Sequence, residues 1–369
     1  MIRMAVTPRR PDRDRPQVPD LALESSHMTD TSSRLAVGKL PTGELRRLLS
    51  KVEPDASVVI GPRVGEDAAV LDLGDRYLVV ATDPVTFAAD RIGWYVVHIN
   101  ANDIAVMGAE PRWFFAVVLL PEEQATTQMI GDIMTDIRGT CAAVGATLAG
   151  GHSEITANLT RPIVVGQMLG EASTSRLVNK RRVTVGDRIL LTHGIAIEGT
   201  AILAREKSNA LAGLVDAATL DRAERLLFKP GISVMQAART ALDAGTVHGM
   251  HDPTEGGLAT GLAELVEPAG LGLRVVRDRI PIFPETTRIC DVMGLDPMGL
   301  IASGALLIVA PPADADRITD ALEKHLIPVA HIGDVRPRED GLSIEIDGIA
   351  RPLVPPDRDE IARVFESGA

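Results

Sequence analysis

Apolar positions along this chain switch repeatedly between helical and strand spacing. From Pro41 onward, Leu45, Leu48, Leu49 and Val52 recur on one helical face, so a helix opens there. Three β-rich runs follow at 57–61, 68–73 and 77–81, separated by Gly and Asp turns as neighbouring strands would be. The pattern then predicts a helix over 93–107, stopped by Gly108 with Pro111 three residues beyond. Strand 113–120, helix 122–144, a strand running into Gly150 and Gly151, and strand 163–170 complete the first half.

The basic, Gly-containing segment 179–187 marks the expected boundary. Beyond it the periodicity predicts strand 188–192, helix 198–206, helices near 215–228 and 232–243, strand 247–250 and helix 256–267. A strand near Leu273, helix 284–293, strand 305–309, helix 313–322 and strands near 328–333 and 342–346 follow. Strands and helices intermix without a strict βαβ rhythm, so the expected class is α+β (mixed α/β). Two domains are expected, 35–180 and 181–352, between a leader over 1–34 and a tail over 353–369. The leader has five Arg in its first fifteen positions, several Pro and a Ser/Thr-rich patch, and reads as disordered. It has no apolar stretch of the kind a signal peptide requires.

Composition narrows the functional classes. The 369 residues are 45% apolar, 24% charged and only 3% aromatic, which predicts globular domains with aliphatic cores. A formal net charge of −12, with no long basic stripe in the folded region, argues against nucleic acid as a partner. Apolar runs fall well short of the roughly 20 residues a membrane span needs. Cys141 and Cys290 stand far apart with no CxxC pairing, so neither a zinc site nor a disulfide framework is expected, and a cytoplasmic location fits. Both read as buried fillers of amphipathic helices.

Three stretches carry the chemistry: GEDAAV at 65–70, ATDP at 81–84 and NANDIAVMGAEP at 100–111. Each sets an aspartate (Asp67, Asp83, Asp103) at the rim of an apolar, Gly-punctuated segment, where a bound cation would relieve the cost of burying a carboxylate. Taken singly, Asp67 and Asp83 read equally as turn residues and Asp103 as a polar-face residue; together they suggest a metal–nucleotide site. In LAGGHSE, Gly150 and Gly151 read as a turn whose N–H groups could approach an anion. Ser153 belongs to that loop, His152 is a candidate acid, base or phosphate contact, and Glu154 is a candidate companion to the metal shell. In MHDPTEGG, Asp252 precedes a helix opened by Gly256 and Gly257, a suitable place for phosphate or Mg²⁺, with Thr254 as a simple helix cap in the alternative reading. Glu198, in GIAIEGTAIL, reads as a first-turn acid favoured by the helix dipole.

In this order the motifs resemble the AIR synthase (PurM) superfamily over 38–348. That superfamily includes AIR synthase, thiamine-monophosphate kinase, selenophosphate synthetase and the hydrogenase-maturation HypE family, and the HypE-like group is the nearest in pattern. The resemblance implies a two-domain fold whose N-terminal sheets pair across a homodimer into a β-barrel, with ATP and Mg²⁺ in a cleft reached by that interface. It implies metal binding by Asp67, Asp83, Asp103 and Asp252, and nucleotide-side contacts from Thr82 and the loop Gly150, Gly151 and Ser153; beside these, the residues' own chemistry makes Gly256 and Gly257 candidate phosphate contacts and His152 and Glu154 candidate catalytic positions. The implied function is ATP-dependent activation of a small-molecule substrate by phosphoryl transfer. The alternatives are a thiamine-monophosphate kinase-like enzyme and a non-catalytic ATP-binding partner in a maturation complex. The carbamoyl-carrying members end in a cysteine where this sequence reads FESGA, and the kinases have Asp where it has His152.

Overall fold

Two open sheets, one from each half of the chain, organise the computed structural model, which describes residues 35–366. The expected leader, 1–34, lies outside the described residues. The first sheet has six strands: β1 (Val58–Ile60), β2 (Ala69–Asp72), β3 (Tyr77–Val85), β4 (Glu110–Pro121), β5 (Thr147–Thr156) and β6 (Ile163–Ala172), in the order β1-β2-β3-β6-β4-β5. Among the described residues of this sheet, only β4 and β5 run parallel. Their crossover is α3 (Thr127–Val144), and α1 (Thr42–Leu49) and α2 (Ile92–Val106) precede it.

The second sheet has seven strands: β7 (Arg188–Thr192), β8 (Gly249–His251), β9 (Gly272–Val276), β10 (Leu307–Ala310), β11 (Val329–Arg336), β12 (Leu342–Ile346) and β13 (Ile349–Pro352). Their order is β13-β12-β9-β11-β7-β10-β8. Helices α4 (Ile197–Glu206), α5 (Ser208–Leu211), α6 (Ala217–Arg225), α7 (Met235–Ala244), α8 (Gly257–Val266), α9 (Pro284–Met293), α10 (Pro312–Lys324) and α11 (Glu360–Glu366) accompany it. The mixed α+β class is as expected. Periodicity missed β13, which is exposed throughout, and α11, which falls within the expected tail.

Two expectations about the first sheet change. Strand β3 continues through Asp83 to Val85, because Thr82, Asp83, Pro84 and Val85 pair with Gln167, Gly166, Val165 and Val164 of β6. The paired glycines lie within β5 rather than in a turn, because Gly150 and Gly151 pair with Phe115 and Ala116 of β4. Gly151 is needed there for space: a Cβ on it would come within 2.0 Å of the Ala116 carbonyl oxygen.

Helix α2 explains how the halves meet. Almost every residue of it is buried, His98, Asn100, Asn102 and Asp103 included, so it packs against elements of both sheets rather than lying on a surface. Ile104 and Ala101 join a core that runs from the first sheet into α4, α6, α9 and α11 of the second half, whereas Ala105 and Val106 join Val234, Ala238, Leu306 and Ile308 in the core between the second sheet and its helices α7 and α10. Gly166 and Gly170 of β6 permit the close approach, since a Cβ at either would meet Asn100 Nδ2 at 2.4 Å or Ile104 Cγ2 at 2.3 Å.

Candidate functional site

The polar residues of α2 leave the helix in different directions and tie three segments together. Asn100 accepts the Asp83 amide at 3.0 Å and donates to the Asp83 carbonyl at 3.2 Å, which fixes the end of β3. Asn102 accepts the Val234 amide at 2.9 Å and donates to the Ile232 carbonyl at 2.8 Å, which fixes a loop of the second half. One residue further round, Asp103 reaches Asp67 and Asp252, and carboxylate oxygens of these three lie within 4.8 Å of one another. Asp83 adjoins Asp103 closely enough to affect its ionisation. Four segments distant in sequence thus supply one acidic cluster.

Its electrostatics are uneven. Asp67 is paired twice: Lys180 Nζ donates to one oxygen at 2.7 Å and His251 Nδ1 bonds the other at 2.6 Å. Burial opposes ionisation of Asp67, but His251 and Lys180 outweigh it and hold the carboxyl well below its ordinary range. On the far side of His251, Glu264 Oε2 lies 3.3 Å from Nε2, and Lys39 Nζ donates to the other Glu264 oxygen at 2.9 Å. Lys180, Asp67, His251, Glu264 and Lys39 therefore alternate in charge through the interior. Burial disfavours the imidazolium, yet Asp67 carries His251 up to about 9.

Among the described residues, Asp103 and Asp252 have no comparable cation. Asp103 Oδ2 and both Asp252 carboxylate oxygens are buried without a hydrogen-bond partner. Burial first, then the neighbouring carboxylates, raises both groups above the ordinary range. Such orphaned oxygens need an explanation. A hard divalent cation fits: the donors are all oxygen, they are few, and Mg²⁺ characteristically takes one or two carboxylates while leaving positions for water and phosphate.

Two cavities that share Asp83, Phe87, Thr254 and Glu255 in their linings adjoin the cluster at Asp83. The inner one, about 30 Å³, is lined by Glu198, Ser303, Thr254 and Glu255 among mainly apolar side chains. The outer one, about 560 Å³, is lined by Lys39 and Arg161 together with Phe87, Glu255, Phe365 and Glu366. Phe365 comes from α11, and its ring faces Phe87 at 5.7 Å and the Arg161 guanidinium at 4.7 Å. The N-terminal wall is tied to the same helix, with Val37 N–H donating to Glu366 Oε1 at 3.0 Å.

The remaining sequence-derived candidates are placed differently. Thr82 is exposed on β3, its hydroxyl 3.4 Å from Gln167 Nε2. Gly150, Gly151, His152, Ser153 and Glu154 are exposed on the edge strand β5, and none lines either cavity beside the aspartates. His152 Nε2 and Glu154 Oε2 face each other there at 3.4 Å. Gly256 and Gly257 do open α8, both with positive φ, but the Gly256 amide is already used: Asp359 Oδ2 accepts it at 2.6 Å. Thr254 makes no side-chain cap, because Gly256 is the cap position and Thr254 supplies its carbonyl to the Gly257 amide at 3.0 Å.

Sequence reasoning missed Lys180, Lys39, Glu264 and Asp359, and read Glu198 only as a first-turn acid favoured by the helix dipole, which it is by position but not at a surface. Glu198 is 1% exposed. The available signals were a lysine within an otherwise surface-like basic segment and a histidine immediately before Asp252. Cys141 and Cys290 are buried fillers as expected, their thiols pushed up by burial to about 11 and about 12.

Two sheets sharing a buried helix, with a carboxylate cluster at their junction, define the AIR synthase-like architecture. The chain belongs to the AIR synthase related family, matching its N-terminal domain over residues 65–172 and its C-terminal domain over 184–345. It is 30% identical to the carbamoyl dehydratase HypE of Rhodobacter capsulatus over 68% of this chain and 72% of that one. It is 29% identical to the carbamoyl dehydratase HypE of Cupriavidus necator over 71% and 74%. Solved structures share the fold: a HypE–HypF complex at TM-score 0.69 and 19% identity, covering 84% of this chain and 98% of that one. HypE in complex with ATP aligns at TM-score 0.62 and 23% identity, covering 86% and 96%. A ThiL structure complexed with AMPPCP and TMP aligns at 0.65 and 16%, covering 86% and 94%.

Proposed function

We propose that this chain binds Mg·ATP in the cleft beside the aspartate cluster and activates an oxygen of a small substrate by phosphoryl transfer, in the manner suggested by its carbamoyl dehydratase relatives. The observation that carries the reading is the set of three unpartnered carboxylate oxygens on Asp103 and Asp252. Asp103 and Asp252 would hold Mg²⁺, with Asp83 beside them and Asp67 kept in position by Lys180 and His251. When bound, the ion would neutralise polyphosphate charge, the dominant requirement of phosphoryl transfer. Lys39 and Arg161 are the basic side chains lining the outer cavity and would contact phosphate oxygens. Phe87 and Phe365 give that cavity an apolar wall, and the inner cavity's aliphatic lining would limit water around the transferred group.

The outer face of the first sheet supports the reading of a homodimer. Trp113 and Val117 of β4 point away from the core and are 40% and 37% exposed, and Ile155 on the edge strand is 64% exposed. A second copy covering that face would also bury the β5 edge that carries Gly150 to Glu154. The HypE–HypF complex favours a maturation protein as a further partner.

Isothermal calorimetry with Mg·ATP tests the site. Asp103→Ala combined with Asp252→Ala should abolish the binding heat; affinity equal to that of the unaltered protein would remove the assignment.

A further inference from the structure

The segment before α1 is held in place from the other half of the chain. Residues 35–39 are exposed and α1 after them buries no residue, so packing alone does not position them. Among the described residues, two hydrogen bonds join this segment to the second half: the Val37 amide on Glu366, and Lys39 Nζ on Glu264 Oε1 at 2.9 Å. Glu264 lies 225 residues beyond Lys39, in α8, flanked by the buried Leu262, Leu265 and Val266. A carboxylate in such surroundings is costly without a charged partner. Its own place is fixed on two sides. The other Glu264 oxygen faces His251 Nε2 at 3.3 Å, and His251 bonds Asp67 at 2.6 Å. Gly65 is pressed against the same residue, since a Cβ there would lie 2.6 Å from the Glu264 carbonyl oxygen.

The Lys39 side chain is 41% exposed against 11% for Glu264, and a pair made for stability alone gains little from so exposed a lysine. An ammonium has three donors. Glu264 takes one, which leaves two for the outer cavity that Lys39 lines. Asp83, Glu255 and Glu366 in that lining repel an anion, so one can settle only where a cation is held forward. Arg161, the other cation of the lining, is already engaged with the Phe87 carbonyl at 3.3 Å and the Phe365 ring at 4.7 Å. Lys39 precedes both matched family domains, whereas Glu264 lies inside the second, so the pair joins a segment outside the shared fold to a residue within it. We propose that Glu264 is a positioning residue: it registers the Lys39 ammonium to the aspartate cluster, in the wall of the outer cavity, where Lys39 takes a phosphate oxygen of the ligand. The inference rests on the nucleotide reading for the identity of that ligand, and adds that Glu264 acts on it through Lys39.

Calorimetry on the full-length protein with Mg·ATP, and separately with Mg·tripolyphosphate, tests the pair. Lys39→Met should weaken both ligands about tenfold, the worth of one charge-assisted hydrogen bond. Glu264→Gln should weaken them about fivefold, and the combined variant no more than Lys39→Met alone, because a released lysine and a missing one are alike. Lys39→Arg, which keeps charge and reach, should retain most of the affinity. Glu264→Asp, which withdraws the carboxylate by one methylene, takes the place of Glu264→Gln in the cycle should that variant fail to fold. A purely structural Glu264 would instead lower the melting temperature and leave affinity intact. That result, losses that multiply to about fiftyfold in the combined variant, or unaltered affinity in Lys39→Met would overturn the assignment. The two readings part by ligand: Lys39-dependent binding of tripolyphosphate without Mg·ATP heat would remove the nucleotide and keep this contact. Mg·ATP bound equally well by Lys39→Met would remove this contact alone, and no heat with either ligand would remove both.

Discussion

Replacing Lys180 with Met keeps most of the side chain's length and deletes its charge, at a site where the pair has almost no water. The Lys180 and Asp67 side chains are 1% and 6% exposed and 2.7 Å apart. Removing one partner of such a pair leaves an uncompensated carboxylate, which costs about 3–5 kcal/mol. Asp67 would retain His251 at 2.6 Å, which places the expected loss near the lower end, about 3 kcal/mol. At about 2 °C per kcal/mol for a chain of this size, the melting temperature should fall by about 6 °C. Urea unfolding followed by circular dichroism should show a lower midpoint with an unchanged slope. Adding Asp67→Asn to Lys180→Met should restore part of the loss, giving a coupling energy of about 2 kcal/mol. The sign with pH follows from Asp67, whose carboxyl is held below its ordinary range in the folded protein. Its stabilisation is present above the unfolded value of about 4 and disappears as pH falls through the folded one, so the variant and the unaltered protein should converge in acid. A loss under about 1 kcal/mol at neutral pH, or a double variant as unstable as the summed singles, would refute the reasoning.

Four further outcomes can be measured. Mg²⁺ should raise the melting temperature of the unaltered protein, and Asp252→Asn should lose that rise, because the variant removes charge from a group whose two oxygens are both unpartnered. Gly166→Ala should lower stability by about 1–3 kcal/mol in urea titration, because the new methyl group would meet Asn100 Nδ2 at 2.4 Å and displace the residue that holds Asp83. Trp113→Arg with Val117→Asp should shift light-scattering mass from dimer to monomer, and an unchanged mass would remove the proposed sheet-to-sheet contact. Asp359→Ala should cost about 1–3 kcal/mol by orphaning the amides of Gly256 and Ile361, now held at 2.6 and 2.7 Å; native-state hydrogen exchange at those amides should rise.

The sequence foretold strands and helices best where one face is buried. Helix α9 was expected over the residues it occupies, and α2, although buried on all sides, differs by one residue at each end, because its apolar run and Gly stop are local signals. The aspartates were legible for a related reason: a carboxylate within an otherwise apolar segment is conspicuous without knowledge of its neighbours. Their partners were not. Lys180 looks like part of a surface charge run, and only the fold carries it 113 residues back to Asp67. Glu198 looks like a dipole-favoured first-turn acid until Ser303 and the inner cavity stand beside it. The glycine pair misled because Gly-Gly signals backbone freedom, and an edge strand pressed close to its neighbour uses the lack of a side chain instead.

Helix α2 separates the unit of ancestry from the unit of cooperativity. The family recognises two domains, 65–172 and 184–345, yet α2 belongs to the first and supplies Ala105 and Val106 to the core of the second. Asn102 adds hydrogen bonds to Ile232 and Val234 across the same junction. A cut near residue 180 would therefore leave each fragment with a raw apolar surface, and would take Lys180 or its partner Asp67 away from the other. The acidic cluster is accordingly assembled only by folding the whole, and local fluctuation of either half would register at the other through α2 and the ion pairs of Asp67 with Lys180 and His251.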